Sequence, residues 1–224
     1  MYPGEEQNNE EHNEPNTNQQ KLQIFGARIV TLAGRILRTI ISWIIIPVII
    51  VLILHNFVFQ AFHVVGSSMI PTLHDSDYLI ISKIDWSKSH LFSLFGKHDY
   101  IPARGTIIVF HYPNDPSLVF VKRVVGLPGE KIVISNGKIT IYNNANPNGF
   151  NPDKNLGLDS TIPTLGDISE TIPSGKIFVL GDNRLPGGSF DSRDWGLLPS
   201  SDIIGSAVLR LLPIDSVTIL NTKN

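Results

Sequence analysis

The sequence Val64-Val65-Gly66-Ser67-Ser68-Met69-Ile70-Pro71-Thr72-Leu73 separates a long apolar segment from a series of short predicted strands. It fits neither a regular helix nor a core strand, because Pro71 disfavours helical backbone at Ile70 and Gly66 permits a turn without steric cost. A serine on such a turn is most often a simple turn residue. The alternative is that Ser68 is a nucleophile, which requires a base contributed from elsewhere in the chain.

The apolar segment before this stretch predicts a membrane span. Residues 39–62 contain no Asp, Glu, Lys or Arg, and roughly 20 apolar residues suffice for a helix to cross a bilayer. Residues 21–38 combine apolar residues at helical spacing with four basic residues, which indicates an amphipathic helix at a membrane surface. A helix of a soluble bundle is the alternative for residues 21–38, and the uncharged segment that follows disfavours it.

The charges around the span predict its orientation. Residues 1–20 carry five glutamates and no lysine or arginine, so we expect a disordered acidic tail. Basic residues precede the span, and none follows it until Lys83. The positive-inside rule then places residues 1–38 in the cytoplasm and residues 63–224 outside. No small-x-small site follows the apolar run, which favours an uncleaved signal anchor in the cell membrane over a cleaved signal peptide.

Composition excludes several classes of function. The chain has no cysteine, which excludes disulfides, thiolate metal sites and cysteine nucleophiles. A net charge of −2 over 224 residues gives no support for a nucleic-acid partner. The sequence contains no Gly-rich phosphate loop and no convincing metal-ligand cluster, so we expect neither a cofactor nor a metal.

Residues 63–224 are predicted to form a mostly β domain, a barrel or a sandwich. Short runs rich in β-branched residues alternate with turns, and Ser135-Asn136-Gly137 between two such runs predicts a hairpin. Residues 143–158, rich in Asn, Pro and Gly, are expected to be a surface loop. The predicted strands cover residues 77–83, 105–112, 118–125, 131–134, 138–142, 176–180 and 203–211.

One predicted strand carries a lysine among apolar residues. Because side chains alternate along a strand, Phe120 and Val124 share a face with Lys122, whereas Arg123 faces the other way. Burial without a counter-charge lowers a lysine pKa, and the neutral amine can then take a proton from a serine hydroxyl. Ser68 and Lys122 are therefore a candidate serine–lysine dyad. The alternative is a lysine that reaches solvent from a strand edge.

Four motifs follow the apolar segment in a fixed order. They are Gly-Ser-Ser-Met-Ile-Pro-Thr-Leu (66–73), Arg-Gly-Thr-Ile-Ile-Val-Phe (104–110), Val-Lys-Arg-Val-Val-Gly-Leu-Pro-Gly-Glu (121–130), and Gly-Asp-Asn-Arg (181–184) with Asp-Ser-Arg-Asp-Trp-Gly (191–196). Together they strongly resemble the bacterial type I signal peptidases, over residues 40–215 of this chain. The resemblance implies a membrane-anchored serine endopeptidase with a signal-peptidase-like β fold. Its substrates would be secreted preproteins, cleaved after a small-x-small pattern.

The resemblance also implies roles for individual residues. Ser68 would be the nucleophile and Lys122 the general base, with the Ser68 backbone N–H in the oxyanion hole. Some family members add a serine hydroxyl two residues before the nucleophile. This chain has Gly66 there, so a second donor to the oxyanion hole would be the Gly66 backbone or a water molecule. A further departure is that residues 185–188 lengthen the last motif relative to its common form.

The last motif is implied to pack beside the dyad. In that region Ser189 would help to orient the lysine, and Asp191 and Arg193 would form a structural ion pair. Asp182 is also expected to have a structural role, as a residue of a backbone turn. Arg123 is expected to have one through packing or an ion pair.

The same resemblance implies a substrate that binds as an added strand beside residues 62–66 or 119–122. Shallow apolar pockets would admit only small side chains. The expected lining residues are Phe62, Val64, Val65, Met69 and Val121. Expected partners are signal-peptide-bearing preproteins and the lipid bilayer, with the protein-export machinery nearby.

Two other functions are weighed against this prediction. A related self-cleaving repressor would need a DNA-binding domain and a cleavable linker, and residues 1–60 supply neither. An anchored β domain that binds peptides or assembles secretion machinery without catalysis would be favoured by a degenerate dyad, whereas Ser68 and Lys122 are both present.

Overall fold

The structure, a computed structural model, describes residues 17–53, 59–83, 100–212 and 217–220. The chain divides into two compact units, with the division between Leu52 and Ile53. Most of the predicted acidic tail, residues 1–16, lies outside the described residues.

The first unit is helical. Helix α1 covers Thr17–Ile40, a π-helical turn covers Ile41–Ile45, and helix α2 covers Ile46–Ile53. The π-helical turn ends two residues before Pro47, which has no N–H to donate to a carbonyl one turn earlier. Residues 21–52 are long and apolar enough to cross a membrane.

The predicted boundaries of this unit need two corrections. The helix begins at Thr17, so residues 17–20, predicted as part of the disordered tail, are helical. The predicted span over 39–62 is too long, because Phe59–His63 forms a strand, β1. An uncharged run gives no periodicity to separate helix from strand, and pairing with another strand decides the outcome.

The second unit is mostly β, as predicted. The strands of a large antiparallel sheet are β1, β2 (Tyr78–Ser82), β3 (Ile107–Tyr112), β4 (Asp115–Gly126), β9 (Lys176–Leu180), β10 (Leu198–Pro199), β11 (Ile203–Leu212) and β12 (Thr218–Ile219). Their order in the sheet is β1-β2-β11-β3-β4-β9-β10, with β12 paired to β11. A smaller sheet has the order β7-β6-β5-β8, with β5 (Lys131–Ser135), β6 (Lys138–Asn143), β7 (Asn146–Phe150) and β8 (Ile168–Thr171).

The prediction of a surface loop over residues 143–158 is wrong. These residues contain β7 and a short helix, α3, over Pro152–Leu156. The Asn151 side chain accepts a hydrogen bond from the Asp153 N–H, and Gly157 ends the helix in a left-handed conformation. Asn, Pro and Gly therefore act here as helix-capping residues, a role that composition alone does not distinguish from a loop.

Two further short helical segments follow β9. Helix α4 covers Ser192–Trp195, and a 3₁₀ turn covers Ser200–Asp202. Helix α4 begins with a capping box in which the Asp191 and Asp194 side chains each accept a backbone N–H of the other residue. This arrangement fixes the backbone of the last predicted motif beside β9.

The core under the serine turn positions the candidate site. Met69 and Leu73 are fully buried and pack with Val64, Leu79 and Val109. The Leu73 N–H donates to the Met69 carbonyl at 2.9 Å, which closes one helical turn. The residues after Ser68 are thus anchored in the core, while Ser68 itself is only half-buried.

Candidate active site

A glycine turn presents Ser68. Gly66 has a φ of +99°, a conformation that side-chain-bearing residues rarely adopt. Its N–H donates to Asp75 Oδ1 at 2.7 Å, and this bond holds the pKa of the Asp75 carboxyl below its ordinary value. The Gly66 N–H is consequently used within the fold, so the suggested backbone donor to the oxyanion hole is not available in this structure.

The Ser68 N–H is available. Within the described residues it forms no hydrogen bond, whereas the Ser68 carbonyl accepts one from the Asn183 N–H at 3.0 Å. A free backbone N–H beside a serine hydroxyl can stabilise an oxyanion that develops on a bound carbonyl.

Lys122 meets Ser68 from strand β4. Its Nζ lies 2.8 Å from Ser68 Oγ and 2.9 Å from its own neighbour, the Val121 carbonyl oxygen. Only 4% of Lys122 is exposed, and Nζ lies 5.5 Å from the centre of the Phe120 ring. The two atoms of the candidate dyad are therefore in direct hydrogen-bonding contact.

The surroundings of Lys122 favour its neutral form. Burial lowers its pKa from the ordinary 10.5 to about 8, and the negative charges of Asp191 and Asp182 oppose this fall. Within the described residues Lys122 forms no ion pair, so desolvation prevails over the two more distant carboxylates. An amine with this pKa can accept a proton near neutral pH.

Arg123 lies on the opposite face of β4, as alternation predicts. Its guanidinium donates to both Asp182 oxygens, at 2.8 and 2.5 Å, and to the Gly105 carbonyl at 2.8 Å. Thr72 Oγ1 donates to Asp182 Oδ2 at 2.5 Å. This network joins β4, the serine turn and the last motif.

Asn183 holds the serine turn, a role that the sequence did not predict. Its backbone N–H donates to the Ser68 carbonyl, and its side-chain Nδ2 donates to the Ser67 carbonyl at 3.1 Å. Next to it, a methyl group on Gly181 would collide with the Ser68 carbonyl and with Ser189 Oγ. A glycine is therefore needed where the last motif approaches the serine turn.

Asp191 and Arg193 form the expected ion pair. The fully buried Asp191 accepts from Arg193 Nε at 2.8 Å and from Arg193 Nη2 at 2.9 Å. Its Oδ2 also accepts from the Gly181 N–H at 3.0 Å. This carboxylate thus fixes the strand end that supports the serine turn.

Ser189 does not hydrogen-bond to Lys122, although the resemblance implied that it helps to orient the lysine. Within the described residues the buried Ser189 Oγ has no hydrogen-bond partner, while Lys122 Nζ bonds to Ser68 and the Val121 carbonyl. Arg184, which was not a candidate, is buried and donates to both oxygens of Asp153 at 2.9 and 2.8 Å. It ties helix α3 to the last motif.

A groove of about 330 Å³ passes over the dyad. Of the predicted lining residues, Phe62, Val64, Val65 and Val121 line it, together with Ser68 and Lys122. Met69 does not, because its side chain is 1% exposed and packs in the core. The groove also includes residues that were not predicted: His63, Leu79, Val109, Val119, Phe120 and Phe190. Within the described part of the chain, no group of three or more His and carboxylate side chains is arranged to hold a metal.

Comparison with known proteins gives consistent results. The family model described as signal peptidase, peptidase S26, matches residues 37–212. A signal peptidase I of Leptolyngbya laminosa is 36% identical over 182 residues, which cover 76% of this chain and 77% of the relative. Signal peptidase I U of Bacillus subtilis is 37% identical over 158 residues, covering 69% and 76%. A probable signal peptidase I-1 of a Synechocystis species is 32% identical over 175 residues, covering 75% and 79%.

Proposed function

This chain belongs to the signal peptidase family, peptidase S26, and is a serine peptidase, and we propose that it removes N-terminal signal peptides from secreted preproteins through a Ser68–Lys122 dyad. The observation that carries this proposal is the 2.8 Å contact between Ser68 Oγ and a buried Lys122 Nζ at the base of an apolar groove. Relatives named signal peptidase I, which align over most of their length, support the substrate class.

Acylation begins when neutral Lys122 removes the proton of Ser68. The Ser68 Oγ attacks the scissile carbonyl carbon, and the carbonyl oxygen becomes an oxyanion beside the Ser68 N–H. The Lys122 ammonium then donates its proton to the departing amine nitrogen as the peptide bond breaks. The mature protein leaves, and the signal peptide remains as an ester on Ser68.

Deacylation repeats these proton transfers with water as the nucleophile. Lys122 takes a proton from a water molecule, which attacks the ester carbon and forms the second oxyanion at the Ser68 N–H. The proton passes to Ser68 Oγ as the ester bond breaks. The signal peptide is released as a carboxylic acid and the dyad is restored.

The groove supports a preference for small side chains near the scissile bond. An extended peptide can lie between β1 and β4, with its main chain held by strand hydrogen bonds. The apolar side chains of Phe62, Val64 and Val121 then limit the space for the peptide's side chains. Alanine at alternate positions fits such a surface, because alternate residues of a strand face the same side.

The membrane arrangement is part of the proposal. The uncharged part of the apolar helix, from residue 39 onward, is the anchor, residues 1–38 are cytoplasmic, and residues 63–224 form the extracytoplasmic peptidase domain of a single-pass cell-membrane protein. The lipid bilayer and the export machinery are the expected neighbours, since the substrates emerge from that machinery. Arg28 and Arg35 support this orientation as part of the positive charge before the span.

Cleavage of a preprotein with an Ala-x-Ala site by the full chain in detergent tests the proposal. We expect a single cut after the second alanine. The rate of cleavage should fall by at least about 10³-fold in Ser68→Ala and in Lys122→Ala. Ser67→Ala is the matched control for the serine, and Lys131→Ala, on an exposed position of β5, is the control for the lysine. Both controls should cleave at the wild-type rate.

The pH profile gives a second readout. Because the neutral amine is the active form, kcat/KM should rise with pH and level off above about 8, the pKa of Lys122. An inactive wild type on several preproteins would overturn the peptidase function, and activity in Lys122→Ala would place the base elsewhere.

A further inference from the structure

A second cavity continues the groove beyond the dyad. It has a volume of about 350 Å³ and shares two lining residues, Phe62 and Val119, with the groove over Ser68 and Lys122. These shared residues belong to β1 and β4, the two strands that flank the groove. A peptide that fills the groove between these strands therefore reaches the second cavity without leaving them.

The second cavity differs from the groove in its chemistry. Lys83, His111, Gln60 and Ser201 add polar and basic groups around an apolar floor, and none of the lining residues is acidic. The groove, by contrast, is lined mainly by apolar side chains apart from the dyad and His63. The second cavity thus suits a polar or negatively charged side chain rather than a methyl group.

Its polar groups are available for a ligand. Within the described residues, Lys83 forms no ion pair and Gln60 forms no side-chain hydrogen bond. His111 uses Nδ1 on the Pro116 carbonyl at 2.8 Å, which leaves Nε2 without a partner there. The Ser201 hydroxyl is engaged as well, because it donates to Asp202 Oδ1 at 3.0 Å, so the groups left for a ligand are on Lys83, Gln60 and His111.

Distance along the strands sets the substrate position. Phe62 precedes Val65 by three residues on one side of the groove, and Val119 precedes Lys122 by three on the other. At roughly 3.3 Å per strand residue, the second cavity begins about 10 Å from the dyad. With P1 defined as the residue whose carbonyl is attacked, the cavity lies near the fourth to sixth residue from the scissile bond.

Chain order sets the direction. Strand β1 is the first strand after the apolar helix, and Gln60 in β1 precedes Val65, which follows the strand, so this end of the groove is nearer to the anchor along the chain. A signal peptide has the same order, an apolar segment followed by its cleavage site. A peptide bound parallel to β1 therefore directs its residues before P3 into the second cavity.

We propose that this cavity is a charge-selective subsite, in which Lys83 binds an acidic or polar side chain at position P4, P5 or P6 of the signal peptide. The proposal rests on the proposed function, because only a bound preprotein supplies this segment. It adds a specificity determinant that is separate from the small-x-small requirement at the dyad.

The test uses the full chain in detergent and one preprotein with an Ala-x-Ala site. At P4, P5 and P6 in turn, the residue is Asp, Ala or Lys, and kcat/KM is measured for each. Wild type should prefer Asp over Lys by about fivefold at one of these positions, as expected for a solvent-accessible charge pair. Lys83→Glu should reverse the preference, and 1 M salt should reduce it in both proteins.

A matched variant separates this site from a general charge effect. Lys138→Glu makes the same charge change on an exposed position of β6, in the smaller sheet, and should keep the wild-type preference. Equal kcat/KM for Asp and Lys at all three positions would overturn the subsite, as would a preference that Lys83→Glu leaves unchanged. Failure of wild type to cleave even the Ala substrate would instead overturn the proposed function.

Discussion

Lys122 and Arg123 are adjacent cations on one strand, and the fold treats them in opposite ways. Arg123 is paired with both oxygens of Asp182 and also donates to the Gly105 carbonyl. Lys122 is more deeply buried, contacts a serine hydroxyl and a backbone carbonyl, and has no carboxylate in contact within the described residues. Strand alternation puts them on opposite faces, so each meets a different environment.

The difference shows that burial alone does not turn a cationic side chain into a general base. A buried cation with a carboxylate partner keeps its proton and stabilises the structure, as Arg123 does with Asp182. A buried amine without such a partner loses part of its affinity for the proton, which lowers the pKa of Lys122 to about 8. The same strand therefore supplies a structural ion pair and a candidate general base side by side.

Exchanging the two cation types tests this contrast with the largest expected effect. Lys122→Arg should lower kcat about 10³-fold, because a guanidinium keeps its proton and cannot act as the base. Arg123→Lys keeps the charge beside Asp182 and should lower kcat by less than about tenfold. Preprotein cleavage measures both, and comparable losses in the two variants would remove the distinction between base and structural cation.

Removing the partner of Arg123 should cost stability. Asp182→Leu leaves the guanidinium buried without its carboxylate, and we expect a loss of about 3–5 kcal/mol in the free energy of unfolding. The double variant Asp182→Leu with Arg123→Met should regain most of this loss, because no charge stays buried unpaired. Urea unfolding measures both, and an equally unstable double variant would assign the loss to packing instead.

The charged form of Lys122, which has no carboxylate partner, should lower the free energy of unfolding, and this effect should depend on pH. Its folded pKa, about 8, lies below its ordinary 10.5, so between these values the unfolded chain binds more protons and stability rises with pH. Below pH 8 the full penalty, roughly 3 kcal/mol, is present. Lys122→Met should therefore be more stable than wild type at pH 7.

Urea unfolding between pH 7 and 10.5 measures this difference. The advantage of Lys122→Met should shrink as pH rises through 8, because the wild type then loses its buried charge. Lys131→Met, which removes an exposed lysine from β5, should follow the wild type throughout. A difference that does not change with pH would show that Lys122 is not held in an unfavourable charged form.

The smallest expected effect concerns the serine side of the dyad. Asn183→Ala removes the side-chain donor to the Ser67 carbonyl but keeps the backbone bond to Ser68, so kcat should fall about tenfold with little change in KM. Asn146→Ala, in the smaller sheet, is the control and should leave kcat unchanged. A pure rise in KM for Asn183→Ala would assign this residue to substrate binding instead of serine positioning.

Strand alternation predicted the two faces of β4 correctly, because it depends only on local backbone geometry. The same local reasoning failed at residues 59–62, which continue an uncharged run but form a strand through pairing with β2. It also failed at residues 143–158, where Asn151 and Gly157 cap a helix. In both places the outcome depends on contacts that are distant in sequence or on the use of a residue as a cap.

The sequence by itself determined the mostly β class, the apolar helix before it and the pair of candidate residues, because periodicity, composition and motif order are local properties. The tertiary structure decided that Met69 is core and not groove, that the Gly66 N–H is already bound, and that Asn183 holds the serine turn. It also decided the pKa of Lys122 and the second cavity around Lys83. These features arise where strands far apart in the chain meet, and burial and partner geometry exist only after those strands have paired.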